Sequence, residues 1–315
     1  MLQHERSKEY PATPEEPVYI EGNAVKVLKF KEFQENLREI GIEKGNTVHV
    51  QSDLRRIGPV DCAPNRESIL EFYLAGFQDV IGETGTITVN TGFGDYARFG
   101  TPFVRETSPS HGGVFSEYIR TRSGAVRSMH PVISVTALGY RAQEICGGPH
   151  FVGLGWDSPW GRLHRLNAKM LSLGLGPYHV GGMTFFHYVE KMYGIPYQYN
   201  KIFSTPVYSG GTEVKGPFFM SVRYLDYNIL YDSTKLRLHL LDKGILRLEK
   251  IGHGMMTCGT SQQIFDETIK CFRDNPYIML KSPPAFRQGE IPMDGNTGPR
   301  VLKDGRADSE NESKG

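Results

Sequence analysis

The stretch 171–197, LSLGLGPYHVGGMTFFHYVEKMYGIPY, gathers residue types that move protons. An apolar run ends in a glycine-rich bend, and a helix-like segment then opens with Thr184 and carries His187 and Glu190 in its first turns. Thr184 has the side chain of an N-cap, a hydroxyl able to accept from an otherwise unpaired backbone N–H. His187 falls near the positive end of the helix dipole, whose field disfavours a second proton on the ring. A neutral imidazole beside a loop wide enough for a ligand is what a general base requires. The competing reading is a helix histidine hydrogen-bonded in the core. Glu190, at i+3, shares a helix face with His187 and can orient its second nitrogen. His187 and Glu190 alone do not complete a zinc site, which needs at least one more protein ligand.

The elements that would position these groups follow from the hydrophobic pattern. Phe30, Phe33, Leu37 and Ile40 form one helical stripe, and 66–80 is a second amphipathic helix. Strands are expected at 47–51 and 86–90; a strand–helix–strand spacing of this kind predicts a parallel pair with a crossover. The Gly-, Thr-, Pro- and Ser-rich segment 91–113 reads as a loop lining a cleft, and the glycines of TGFGDYARFG match neither a P-loop nor a dinucleotide pattern. Helices are expected near 114–122 and 139–146, with β-rich sequence at 133–137 between them, then a loop carrying Trp156 and Trp160. After the His187 helix, 201–208 and 218–224 read as strands of a second sheet or a sheet extension. A helix at 232–243, a strand at 246–251 and a helix at 260–275 follow. This alternation predicts an α/β layered architecture. Residues 1–20 read as a loose arm able to pack on a neighbour, which allows a homodimer; 21–287 as one domain; and 288–315 as a disordered tail.

Composition removes several classes. Net charge is +1 with histidines neutral, and no basic run resembles a nucleic-acid footprint. No apolar stretch approaches the roughly 20 residues that span a bilayer, and the polar start lacks a secretory h-region. Cys62, Cys146, Cys258 and Cys271 show no C-x-x-C pairing, so they read as reduced thiols of a cytoplasmic protein without a metal site.

Six blocks resemble, in order, the aminoglycoside 3-N-acetyltransferase (antibiotic N-acetyltransferase) family. They are LREIGIEKGNTVHVQSDLRRIGPV (37–60), GETGTITV (82–89), VRSMHPVISVTALG (126–139), GWDSPWGRL (155–163), 171–197, and KIGHGMMTCGTSQQIFDETI (250–269). Within 171–197 the matching positions are Leu171 to Gly174, Thr184, His187, Glu190, Ile195, Pro196 and Tyr197. The resemblance implies a layered mixed sheet flanked by helices, in the family's own fold rather than the common fold of most acetyl-CoA-dependent N-acetyltransferases. It implies transfer of an acetyl group from acetyl-CoA, as co-substrate, to a small-molecule amine, with His187 as the base. Its carboxylate partner is then Glu190 or Asp226 in VRYLDYN, with Asp232 as a fallback.

For the donor, the resemblance implies contacts from Ser52, Asp53, Leu54, Arg55 and Arg56, from Thr91 beside the thioester, and from Ser128, His130 and Ser134 in the block that opens with Arg127. Arginine and hydroxyl groups suit phosphate oxygens. The first loop departs from the family pattern, with Gln51 where a histidine is usual and Asp53 where a serine is usual. A carboxylate close to a diphosphate is repulsive unless Arg55 or Arg56 offsets it. These departures support a second reading, a catalytically silent relative that binds a ligand or partner. The near-neutral charge makes an amino sugar or other small amine at least as suitable an acceptor as a polycationic aminoglycoside, which favours an acidic cleft. His253, between two glycines, also departs from the pattern and could line the acceptor site.

Overall fold

The computed structural model describes residues 26–178, 183–224, 227 and 229–287. The expected arm at 1–20, the expected tail at 288–315, Asp226, Gly181 and Gly182 lie outside the described residues.

The first half of the chain forms α1 (Phe30–Glu39), β1 (Thr47–Ser52), α2 (Arg66–Ile81), β2 (Thr86–Asn90), α3 (Gly94–Phe99), β3 (Phe103–Val104), α4 (Val114–Arg120), β4 (Val126–Arg127), β5 (Val135–Gly139) and α5 (Ala142–Cys146). The second half forms α6 (Pro159–Arg165), β6 (Lys169–Leu173), α7 (Phe185–Tyr193), β7 (Gln198–Phe203), β8 (Val207–Ser209), β9 (Thr212–Glu213), β10 (Phe218–Arg223), α8 (Thr234–Asp242), β11 (Arg247–Ile251), β12 (Gly254–Thr260) and α9 (Ser261–Asp274).

The main sheet runs β11-β12-β6-β1-β2-β5-β4. Its centre, β6-β1-β2, is parallel, and β12 and β5 join it antiparallel on either side. The parallel strands are rich in apolar and β-branched residues because both faces are covered. Alternation along β1 shows the consequence. Val48 and Val50 enter a core with α1 and α2, built around Phe33 and Phe77. His49 turns to the other face, 4.8 Å from the ring of buried Trp160. That face carries a second core, shared by α5, α6, α7, α8 and α9. The expected layered mixed sheet and the parallel β1–β2 pair with its helical crossover are therefore present.

Three local expectations change, the first being that the segment 91–113, read as a loop, contains α3 and β3. The segment after Trp156 is helical, because Ser158 accepts from the Gly161 N–H and Pro159 sits in the first turn, where its missing N–H costs nothing. The strand expected at 201–208 divides into β7, paired with β10, and β8, paired with β3 and β9. The sequence GMMTCGT has weak strand character alone, yet β12 forms because β6 offers it a full antiparallel edge from Lys169 to Leu173. Gly174 ends β6 at φ +77°; a side chain there would meet the Asp53 carbonyl at 2.2 Å. Only glycine lets the segments following β1 and β6 approach this closely.

Candidate active site

A cleft of about 580 Å³ opens where the parallel strands end. Gln51 to Arg55 at the end of β1, Asn90 at the end of β2, Leu175 after β6 and Thr184 at the start of α7 line it, with His111 to Val114 opposite. In parallel α/β sheets this carboxyl edge is where ligands bind. Of the predicted donor residues, Ser52, Asp53, Leu54 and Arg55 face the cleft. Asn90, His111 and Ser116 join the lining without a sequence motif to mark them, His111 lying in the segment 91–113 expected to border a cleft.

Asp53 does not stand as a bare negative charge. Arg55 Nε donates to Oδ1 at 3.0 Å, and Arg56 Nε to Oδ2 at 3.2 Å. Partial burial works against its ionisation, but the two guanidiniums outweigh it and hold the carboxyl below its ordinary range. The three groups leave one net positive charge at the cleft rim. Gln51 is also accounted for. Its side-chain carbonyl accepts from the backbone N–H of Thr184 at 3.2 Å, satisfying a donor at the start of α7. Thr184 is thus a correction: it is already helical (φ −57°, ψ −28°), and its hydroxyl makes no capping bond within its own helix.

The remaining predicted donor contacts turn inward. Thr91, Ser128, His130 and Ser134 are fully buried. Ser128 Oγ accepts from the Val135 N–H, His130 Nε2 meets the Phe219 carbonyl at 3.0 Å, and Ser134 Oγ donates to the Thr91 carbonyl. The Thr91 N–H is itself bonded to the Ser134 carbonyl. Arg127, also buried, collects the carbonyls of Thr91, Arg105 and Ser108. A buried guanidinium needs this many acceptors, so the block that reads as a phosphate-binding signature builds the wall behind the cleft. His253 lies elsewhere: its ring packs on Gly58, and Nε2 contacts the Lys26 carbonyl at 2.9 Å.

At α7 the geometry is specific. Phe185, Phe186, Tyr188 and Val189 bury one side of the helix, and left-handed Gly194 ends it. His187 lies in the first turn with its side chain 32% exposed, and Glu190, one turn on, is completely buried. His187 Nδ1 is 2.6 Å from Glu190 Oε2. The Tyr197 hydroxyl donates to Oε1 at 2.5 Å and the Gln198 amide to Oε2 at 2.9 Å, while the Tyr231 hydroxyl is 3.4 Å from Oε2. Burial, followed by the Glu190 charge, pushes both phenols far above their ordinary range, so they stay donors. Several neutral donors stabilise the buried carboxylate. An ionised carboxylate only accepts, so the bond places the imidazole proton on Nδ1 and leaves Nε2 as the basic nitrogen. The Tyr231 ring, 5.0 Å from the imidazole at 70°, restricts its tilt.

The partner of His187 is therefore Glu190 among the described residues. Asp232 is engaged elsewhere: its carboxylate accepts from the Thr234 N–H at 3.0 Å at the start of α8. Burial opposes its ionisation, but that bond and the field of Arg237 keep its carboxyl below the ordinary range.

The sheet thus presents a cleft at its carboxyl edge that reaches Thr184 at the start of α7, and the same helix carries the His187–Glu190 pair, although His187 itself is not among the residues that line this cleft. The chain belongs to the aminoglycoside 3-N-acetyltransferase family, whose model matches residues 49–273. It is 31% identical over 185 residues to aminoglycoside N(3)-acetyltransferase III of Salmonella sp, covering 53% of this chain and 61% of that protein. It is 25% identical over 255 residues to aminoglycoside N(3)-acetyltransferase IX of Micromonospora chalcea, covering 73% and 83%. The first of these alignments spans less than two thirds of the relative. Solved structures show the same fold. Aminoglycoside acetyltransferase AAC(3)-Xa superposes with a TM-score of 0.66 at 23% identity, covering 78% of this chain and 92% of that one. The AAC-IIIb binary complex with CoASH gives 0.66 at 19% identity, covering 82% and 100%.

Proposed function

We propose that the chain is a cytoplasmic N-acetyltransferase that moves an acetyl group from acetyl-CoA to an amine of an amino sugar or aminoglycoside-like small molecule. The observation that carries this reading is the 2.6 Å bond between His187 Nδ1 and the buried Glu190. An amine attacks a thioester only as the free base. His187 Nε2 takes its proton, and Glu190 stabilises the imidazolium that results. Nitrogen bonds to the thioester carbon, the carbon–sulfur bond breaks, and the His187 imidazolium returns the amine's proton to the departing sulfur, so that CoA leaves as a thiol. No covalent acyl-enzyme is required. On this reading Arg55, at the cleft, meets the donor's diphosphate, with Arg56 adding charge that Asp53 only partly neutralises. Relatives support both substrates: one solved structure holds CoASH, and another, AAC-VIa, holds sisomicin. The His187–Glu190 pair favours catalysis over the silent-relative reading, and the contacts of Gln51 with Thr184 and of Asp53 with Arg55 and Arg56 support it, because both departures are accommodated locally.

Thiol release from acetyl-CoA with a panel of amino sugars and aminoglycosides tests the proposal. His187→Ala is expected to lower kcat by about 10² to 10⁴ while leaving CoA binding largely intact. Turnover close to wild type in that variant removes the assigned base.

A further inference from the structure

We propose that His239, Glu267 and Cys271 form a binding site for a zinc-type divalent cation that clips α8 to α9. Glu267 and Cys271 are four residues apart on α9 and so share one face. His239 comes from the packed helix α8. One ligand atom from each of the three lies within 4.8 Å of the others. His239 Nε2 is already 2.9 Å from Glu267 Oε1.

Tetrahedral zinc at ordinary bond lengths separates such ligand atoms by about 3.3 to 3.6 Å. The nitrogen and oxygen must therefore open by a few tenths of an ångström from 2.9 Å, a movement within reach of side-chain rotation. The donor set is one thiolate, one imidazole and one carboxylate. That mixture suits zinc and excludes magnesium and calcium, which take oxygen ligands. On binding, Cys271 loses its proton to solvent and a water completes the fourth position. Lys270, 64% exposed, pairs with the other oxygen, Oε2, of Glu267, so Oε1 can serve the metal while that ion pair persists.

The place in the fold gives the site a consequence. α9 packs on α7, with the Phe272 ring 5.5 Å from Tyr193, and α7 carries the His187–Glu190 pair. α8 holds the Gly176 carbonyl, after β6, through Arg237. A cation joining α8 to α9 would brace two of the helices behind the cleft without touching the reacting groups.

Cobalt(II) titration of the chelator-treated protein tests the site, because cobalt reports sulfur ligation as a thiolate charge-transfer band. The expected result is stoichiometric binding with that band present, displacement by zinc, and a rise in Tm with zinc. Cys271→Ser should abolish the band, and His239→Ala should weaken binding by about tenfold or more. Cys62→Ser and Lys270→Ala should keep the band. Circular dichroism checks folding; if Cys271→Ser fails to fold, the partly exposed His239→Ala decides. Absence of the band, its survival in Cys271→Ser or its loss in Cys62→Ser overturns the proposal, whatever the outcome of the acetyl-transfer assay.

Discussion

Glu190→Gln removes one negative charge from the site while keeping its shape. The amide oxygen can take the place of Oε2 and still accept from His187 Nδ1 and the Gln198 amide. The new NH₂ then faces the Tyr197 hydroxyl, which can rotate to accept. What disappears is the attraction between a carboxylate and the imidazolium formed during proton transfer. At about 4 Å between charge centres and an effective dielectric near 20, that attraction is worth about 4 kcal/mol. About 1.4 kcal/mol corresponds to tenfold in rate, so the upper limit is about 10³. His187 is 32% exposed, and solvent screening lowers the expectation to about 10² to 10³ in kcat. The assay is initial-rate thiol release at saturating acetyl-CoA, with kcat and KM separated and CoA affinity measured independently. CoA affinity and the circular dichroism spectrum should not change. Glu190→Ala should also lower Tm, because Tyr197 and Gln198 would then donate into an empty space. A Glu190→Gln enzyme within about threefold of wild type would refute the role of the buried carboxylate in charge stabilisation.

Two further outcomes follow from the electrostatics. Asp53→Asn frees Arg55 and Arg56 from their shared anion, so CoA affinity measured by calorimetry should rise several-fold at low salt. Arg55 is 88% exposed, so the gain should shrink as ionic strength increases, and an unchanged or weaker affinity counts against a diphosphate at this rim. His49 and His130 are pushed down to about 3, and His150 to about 4, in each case chiefly by burial. The folded chain keeps these rings neutral, whereas the unfolded chain protonates them below about 6.5. Their contribution to stability is complete above that value and is lost as the pH falls toward 4 and 3. At pH 5 each costs about 2 kcal/mol, so urea unfolding should show a clear loss between pH 7 and pH 5, and equal stability at both values would contradict it.

Much of this molecule is legible along the chain because its signals are local. Periodicity places α1 and α2, and i+3 spacing puts Glu190 within reach of His187. Where an element depends on a neighbour, the sequence is mute. β12 exists because β6 supplies its partners, and the same residues in isolation show little strand preference. The Ser158–Pro159 pair, an N-cap followed by proline in the first turn, is a helix start signal that the sequence does carry.

The site divides along the same line. The sequence by itself determined that His187 and Glu190 share a helix face, since one helical turn fixes their separation, while Asp226 remained an equal candidate for the partner. Tertiary structure alone decided which polar residues meet solvent. Arg127, Ser128, His130 and Ser134 have the chemistry of phosphate ligands, yet they are spent on buried carbonyls and amides behind the cleft. Side-chain type states what a group can bind. Burial states what is left for it to bind, and that depends on chain segments far apart in sequence: Tyr231 beside His187, Gln51 beneath Thr184, and two arginines around Asp53.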